Sequence, residues 1–234
     1  MTTHLTRKEL KQDNVALKVG ETFDFFSLHK KETVRYAAIA AAVILVAAGA
    51  YYYINSQREV RQQMLGDAMA DQAAPVGTAP PNGGLSFPTE SLKRATVNKA
   101  YQKIISEHGG SEEAYIAEYT LAANDLETGK MADARKKYQE VADHAGSNYA
   151  SLAKLALAQI DFMENKTADA RNILKDLQDH PTDMVSKDQA TFTLARGLIP
   201  TAPEEARKML MKMAESKETG GPAMTAMQEL PAKQ

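Results

Sequence analysis

The hydrophobic and polar positions of this chain fall into three regimes. From Tyr36 to Ile54 the sequence YAAIAAAVILVAAGAYYYI runs for 19 residues without a charge. At about 1.5 Å per residue a helix of that length covers ~28 Å, close to the ~30 Å hydrocarbon thickness of a bilayer. Tyr36 at one end and Tyr51, Tyr52 and Tyr53 at the other put amphipathic rings at headgroup depth. A core helix of a soluble domain seldom runs so long without polar interruption, so the pattern predicts one membrane-spanning helix. Helix formers continue from Asn55 to Gln72, extending it as a juxtamembrane helix. Then Pro75, Pro80, Pro81 and Pro88, with Gly77, Gly83 and Gly84, exclude a continuous helix or a central strand. That stretch reads as a linker that lets the next domain stand away from the bilayer.

Beyond Glu90 the apolar positions recur at helical spacing and repeat. Three segments align without gaps at a period of 36: GKMADARKKYQEVADH from Gly129, NKTADARNILKDLQDH from Asn165 and TAPEEARKMLMKMAES from Thr201. Ala134, Ala170 and Ala206 correspond, as do Arg135, Arg171 and Arg207. Tyr138, Leu174 and Leu210 fill the next apolar slot, and Val141, Leu177 and Met213 the one after. Steps of four and then three put all three slots on one stripe of a helix. Another helical stretch precedes each segment, beginning at Ala114, Ser151 and Lys187; the third is shifted by one residue, with Leu194-Ala195 equivalent to Leu121-Ala122 and Leu157-Ala158. LKRATVNKAYQKIISEHGG from Leu92 resembles a second helix without a marked first. Neither helix of such a pair buries its stripe alone, so the pairs must stack. The expectation is an all-α chain: a tail over 1–35, a membrane helix over 36–54, a juxtamembrane helix and linker over 55–90, an α-solenoid of helical hairpins over 91–216, and a flexible tail over 217–234.

Charge orients the span. Arg7, Lys8, Lys11, Lys18, Lys30, Lys31 and Arg35 precede it, against Arg58 and Arg61 after it. The positive-inside rule then keeps residues 1–35 cytoplasmic and exports the chain beyond about residue 55. Ala48-Gly49-Ala50 has the form of a signal-peptidase site, but the long preceding region and the apolar residues beyond it favour an uncleaved signal anchor. Within 1–35, Thr6-Arg7-Lys8-Glu9 has capping-box form, and Val15, Leu17, Phe23, Phe25 and Phe26 lie among charges. Two readings stand level: an amphipathic helix on the inner leaflet or a membrane partner, and a tail whose lysines only set topology.

The helix–turn–helix unit, with small residues where helices approach closely, Gly129 at the turn and an Ala, an aromatic or Leu and a further apolar residue behind it, resembles the tetratricopeptide repeat. The usual aromatic near the start of the first helix is missing, Asn165 and Thr201 replace the turn glycine, and the period is two residues long. The whole layout, with the THLTRKELKQD opening and FSLHKKETVRY before the span, is similar to the YfgM-like family of ancillary translocon subunits. That resemblance implies a bacterial inner-membrane protein with a periplasmic domain. Its implied partners are translocon subunits, periplasmic chaperones of the prolyl-isomerase type or exported clients. By analogy with tetratricopeptide domains, Tyr119, Ala123, Leu155, Gln159 and Phe162 face a protein-binding groove with Tyr115 at its edge; several of them serve equally well as core. A scaffolding role in envelope assembly or cell division is the alternative.

Composition removes other classes. A net charge of −2 gives no drive toward nucleic acid, and the absence of cysteine removes disulfides, thiolate catalysis and Cys-ligated metals. His108, His144 and His180 fall 36 apart. Equivalent helices lie at least about 8–10 Å apart, and zinc binds nitrogen at about 2.0–2.1 Å, so one ion cannot reach all three. The imidazoles read instead as partners of the last carbonyls of their helices. Met209, Met211, Met213, Met224 and Met227 read as core filling ahead of an adaptable surface patch. No GxSxG, phosphate-binding loop, HExxH or dinucleotide fingerprint is present. The expectation is a protein without catalytic, cofactor or metal residues and without a small-molecule substrate.

Overall fold

The computed structural model describes residues 30–78, 83–215, 220–228 and 230. The features expected of residues 1–29, including the capping box at Thr6, lie outside the described residues. Nine helices are present among them: α1 (Lys30–Ala73), α2 (Glu90–His108), α3 (Glu112–Glu127), α4 (Met131–His144), α5 (Ser147–Met163), α6 (Thr167–Asp179), α7 (Lys187–Leu198), α8 (Pro203–Ala214) and α9 (Gly220–Gln228). The chain divides into two units, residues 1–59 and 60–234.

In the first unit the described residues are the start of α1. Its large side chains are bare: Leu45 is 72% exposed, Tyr52 77% and Ile44 66%. Apolar surface left uncovered on every side of a helix is stable in hydrocarbon and a liability in water. α1 holds the one candidate membrane span among the described residues.

The second unit is a stack of helical hairpins. Local sequence starts its helices: Thr89, Ser111 and Ser186 accept hydrogen bonds from the amides of Leu92, Ala114 and Gln189 at 3.1–3.2 Å, and Pro203 opens α8. From α2 to α9 each helix packs on the next in sequence, and α3 meets α5 and α5 meets α7 along one side. The repeat positions make the core. Ala134, Ala170 and Ala206 are fully buried, and Tyr138, Leu174, Leu210, Val141, Leu177 and Met213 are all buried behind them. Small Ala122, Ala158 and Ala195, also fully buried, let the first helices pack closely.

Three features differ from the sequence expectations. The packed unit begins at Val60, not at residue 91. Leu65 and Ala68 at the end of α1 share a cluster with Val97, Tyr101, Ile104 and Leu121. The Tyr101 hydroxyl donates to Gln72 Oε1 at 2.6 Å, and Arg61 Nε donates to the buried Glu113 carboxylate at 3.0 Å. The end of α1 is therefore the first helix that α2 lacks in the sequence pattern. The segment expected to be a spacer is the loop of that hairpin. Gly77 donates to the Phe87 carbonyl at 2.8 Å, Phe87 donates back to Pro75 at 3.0 Å, and the Phe87 side chain is buried. Finally, the region expected as a flexible tail contains α9. Its Ala223 and Ala226, followed by Leu230, are buried against the apolar face that α8 would otherwise leave open. Terminal units of a helical stack need such a cover.

The turns explain both the altered glycine and the shifted alignment. Gly129 has φ +77 and Asn165 φ +62, and each lets the next amide reach back, Lys130 to the Asp125 carbonyl at 2.8 Å and Lys166 to that of Asp161 at 2.7 Å. Asparagine is one of the few side-chain-bearing residues that visits this left-handed region. In the third hairpin Ala202 reaches only to the Leu198 carbonyl, at 2.7 Å, and no left-handed residue intervenes. That turn is one residue shorter, which is why Leu194 lies one place late while Ala206 does not. Asn165→Ala is expected to lower stability by about 1–2 kcal/mol, and Asn165→Gly to leave it unchanged or raised. Thermal unfolding of the two variants checks the pair.

Candidate functional site

A groove of about 670 Å³ lies between the first helices α5 and α7. Leu155, Gln159 and Phe162 line it from α5, and Phe192, Arg196 and Gly197 from α7, with Ile199 and Pro200 beyond them. Leu155 is buried at the base, Phe162 and Phe192 are half-buried, and Gln159 and Arg196 are exposed. The floor depends on Gly197. A Cβ at that position would come within 2.2–2.5 Å of the Phe162 ring, so any side chain there must displace the aromatic.

The six residues expected to face a groove separate into two sets. Leu155, Gln159 and Phe162 come together. Tyr115, Tyr119 and Ala123, on α3, lie outside this groove. Tyr119 packs edge-on to Tyr138 and Tyr149, with ring centres 5.3 and 6.1 Å apart, and belongs to the neighbouring core cluster. Burial raises the pKa values of Tyr119 and Tyr138, keeping both phenols neutral across the physiological range. Tyr115 edges a second depression of about 460 Å³ with Glu118, Lys136, Lys137 and Glu140. There burial, and then the neighbouring Glu140 charge, push the Glu118 pKa up.

A raised folded-state value means that the contribution of Glu118 to stability is present below its unfolded pKa. That contribution is lost as pH rises through the folded value. Glu118→Gln is therefore expected to melt at a higher temperature than the parent chain at pH 7.5 and at about the same temperature at pH 4. Paired calorimetric scans check it, and a larger gain in acid would reverse the sign.

Phe192, Arg196 and Ile199 were absent from the sequence expectation although the repeat contains them. Shifting the third first helix by its one residue makes Phe192 the counterpart of Leu155, Arg196 that of Gln159 and Ile199 that of Phe162.

The repeat arginines tie successive hairpins together beside the groove. Arg135 on α4 donates through Nη2 to Asp161 on α5 at 2.7 Å and to Glu164 at 2.8 Å. A hydrogen bond from Lys166, aided by the charge of Arg135, holds the Glu164 carboxyl below its ordinary pKa. Leu198 takes the place of Asp161 in the next unit, so Arg171 instead forms a two-point bond with Glu205 on α8 at 2.7 and 2.6 Å. The imidazoles spaced at the repeat lie at helix ends: His144 Nδ1 sits 3.1 Å from the Glu140 carbonyl and His180 Nδ1 3.2 Å from that of Asp176. The methionines divide, Met213 being buried and Met211 and Met224 exposed.

A sequence model of the tetratricopeptide repeat-like domain matches residues 25–179, more than half of the chain. The chain belongs to the tetratricopeptide repeat-like family. No curated protein and no solved structure matches it. The family match takes in the apolar start of α1 and ends with α6; the hairpin α7–α8 is tied to the repeats by its own correspondence at Ala206, Leu210 and Met213. Tetratricopeptide-like domains mediate protein–protein interactions and typically act as non-enzymatic scaffolds, so this domain is a protein-interaction module.

Proposed function

We propose that this chain is a membrane-anchored adaptor of the bacterial inner membrane, holding protein partners against its repeat domain on the periplasmic side. The observation that carries the reading is the pairing, on one chain, of an uncovered apolar helix with a stack of hairpins that leaves a groove between its first helices. Residues 1–35 are the cytoplasmic tail, in accord with their excess of Lys and Arg. The span over 36–54 is an uncleaved signal anchor. Tethering raises the effective concentration of the groove near anything else in the same membrane, so weak contacts suffice. The partners are subunits of the protein-translocation channel, periplasmic chaperones or exported clients, as the likeness to the YfgM-like ancillary subunits implies. The residues that contact them are Leu155, Gln159 and Phe162, with Tyr115, Tyr119 and Ala123 further along the first helices.

Crosslinking the full-length protein in native membranes and identifying the adducts tests this. Channel subunits or chaperones are expected among them. Adducts confined to envelope-assembly or division proteins would replace the reading with a scaffolding role. A topology reporter fused after Gln234 is expected to be active only outside the cytoplasm.

A further inference from the structure

We infer that Met209 and Met227 form an oxidation site, where a peroxide converts the two thioethers to sulfoxides and so releases the terminal helix α9 from α8. The inference goes beyond the adaptor reading and does not depend on the identity of any partner.

Sulfur is concentrated at this junction. Five of the chain's 11 methionines lie between residues 209 and 227, which gives the last packing interface of the stack a chemistry that the earlier ones lack. Met213 stands where the two preceding units have Val141 and Leu177, and Met209 where they have Lys137 and Ile173. On α9 the packed stripe is Ala223, Ala226 and Met227, followed by Leu230, so the long side chain within the helix's own stripe is a thioether.

Exposure sorts these methionines by the consequence of oxidation. Met211 and Met224 are 56% and 59% exposed, so an oxygen added to either stays in water. Met213 is buried. Met209 and Met227 are half-buried and pack against the cluster that holds Ala223, Ala226 and Leu230. An oxidant can reach these two sulfurs, and a sulfoxide there puts a polar group into an apolar contact. In the step itself the sulfur lone pair attacks one peroxide oxygen. An S–O bond forms as the O–O bond breaks, and the sulfur gives up two electrons. A proton passes from the transferred oxygen to the departing hydroxide, which leaves as water.

The cap is vulnerable because little else holds it. α9 has nine residues, packs chiefly on α8, and buries two alanine methyls ahead of Leu230. So short a helix does not persist in water without its packing. Its release uncovers Leu210 and Met213, the apolar face that the end of a helical stack must keep covered.

The test treats the full-length chain in lipid nanodiscs with hydrogen peroxide, locates the added oxygens by mass spectrometry and follows amide hydrogen exchange. Oxidation of Met209 and Met227 is expected to speed exchange over residues 220–228 about tenfold and to leave residues 147–179 unchanged. Methionine sulfoxide reductases should restore the protection. Met209→Leu combined with Met227→Leu keeps the packing volume and should abolish the response. Met211→Leu combined with Met224→Leu should retain it in full. Three outcomes would each overturn the inference: unchanged exchange over 220–228 with both sulfurs oxidised, a response that survives in the first pair of substitutions, or residues 209 and 227 staying reduced while 211 and 224 oxidise. Fast exchange over 220–228 before peroxide is added would do the same, since α9 would then have no docked state to lose.

Discussion

Tyr101→Ala is expected to destabilise the repeat domain by about 3–5 kcal/mol, among the largest effects of any single change in the chain. Tyr101 is fully buried where α2 meets the end of α1. Removing its ring takes a large apolar area out of a cluster that includes Leu65, Ala68, Ile104 and Leu121, and the neighbouring helices can close the void only in part. The hydroxyl goes too, and with it the 2.6 Å bond to Gln72. Tyr101→Phe keeps the volume and loses only the bond, so its cost should be about 1 kcal/mol. Urea unfolding of the full chain in detergent, followed by far-ultraviolet circular dichroism, separates the two. The comparison also locates the start of the domain. If residues 60–73 belong to it, a soluble fragment beginning at residue 60 will unfold at higher urea than one beginning at residue 91. Equal midpoints would mean that the contacts of Leu65, Ala68 and Gln72 add nothing.

Leu174→Ala is the second large effect, at about 2–5 kcal/mol. Leu174 is fully buried on α6 and shares one cluster with Leu155 of α5 and with Leu194 and Leu198 of α7. In a stack of hairpins stability is a sum of unit and neighbour terms, so a void in a middle unit weakens its junctions on both sides. The loop over residues 181–186 should then become the first site of proteolysis, because Val185, fully buried at that junction, loses its packing. Met211→Ala supplies the comparison: at 56% exposure it should change stability by less than about 0.5 kcal/mol. If both variants melt together, Leu174 is not the packing centre that its burial indicates.

Much of the fold was legible because hydrophobic spacing is local information. Ala134, Tyr138 and Val141 recur at Ala170, Leu174 and Leu177 and again at Ala206, Leu210 and Met213, and one stripe per helix already says which faces must meet. The first helix of the earliest hairpin was harder to see. Residues 60–73 carry only Leu65 and Ala68 as buried apolar anchors, and they continue from the span without a break in helical character. Alanines gave a similar difficulty at α9, where Ala223 and Ala226 pack well although they contribute little hydrophobicity to a sequence pattern. Both elements lie at ends of the stack and bury one side against a single neighbour, so the sequence signal is weak where the packing demand is one-sided.

The sequence alone determined that the chain is helical, that it repeats every 36 residues, and that one stretch suits hydrocarbon better than water. Those properties come from side chains read at fixed intervals along one backbone. Only the tertiary structure decided which exposed residues share a groove. Phe162 and Gly197 lie far apart in sequence and meet because α5 and α7 pack side by side, and the distance between them depends on a Cβ that is not there. Tyr119 and Leu155 hold equivalent places in successive units, yet one packs into an aromatic cluster while the other lines an open groove. Equivalent positions diverge because what a residue touches is set by the neighbouring unit, and each unit here has a different neighbour.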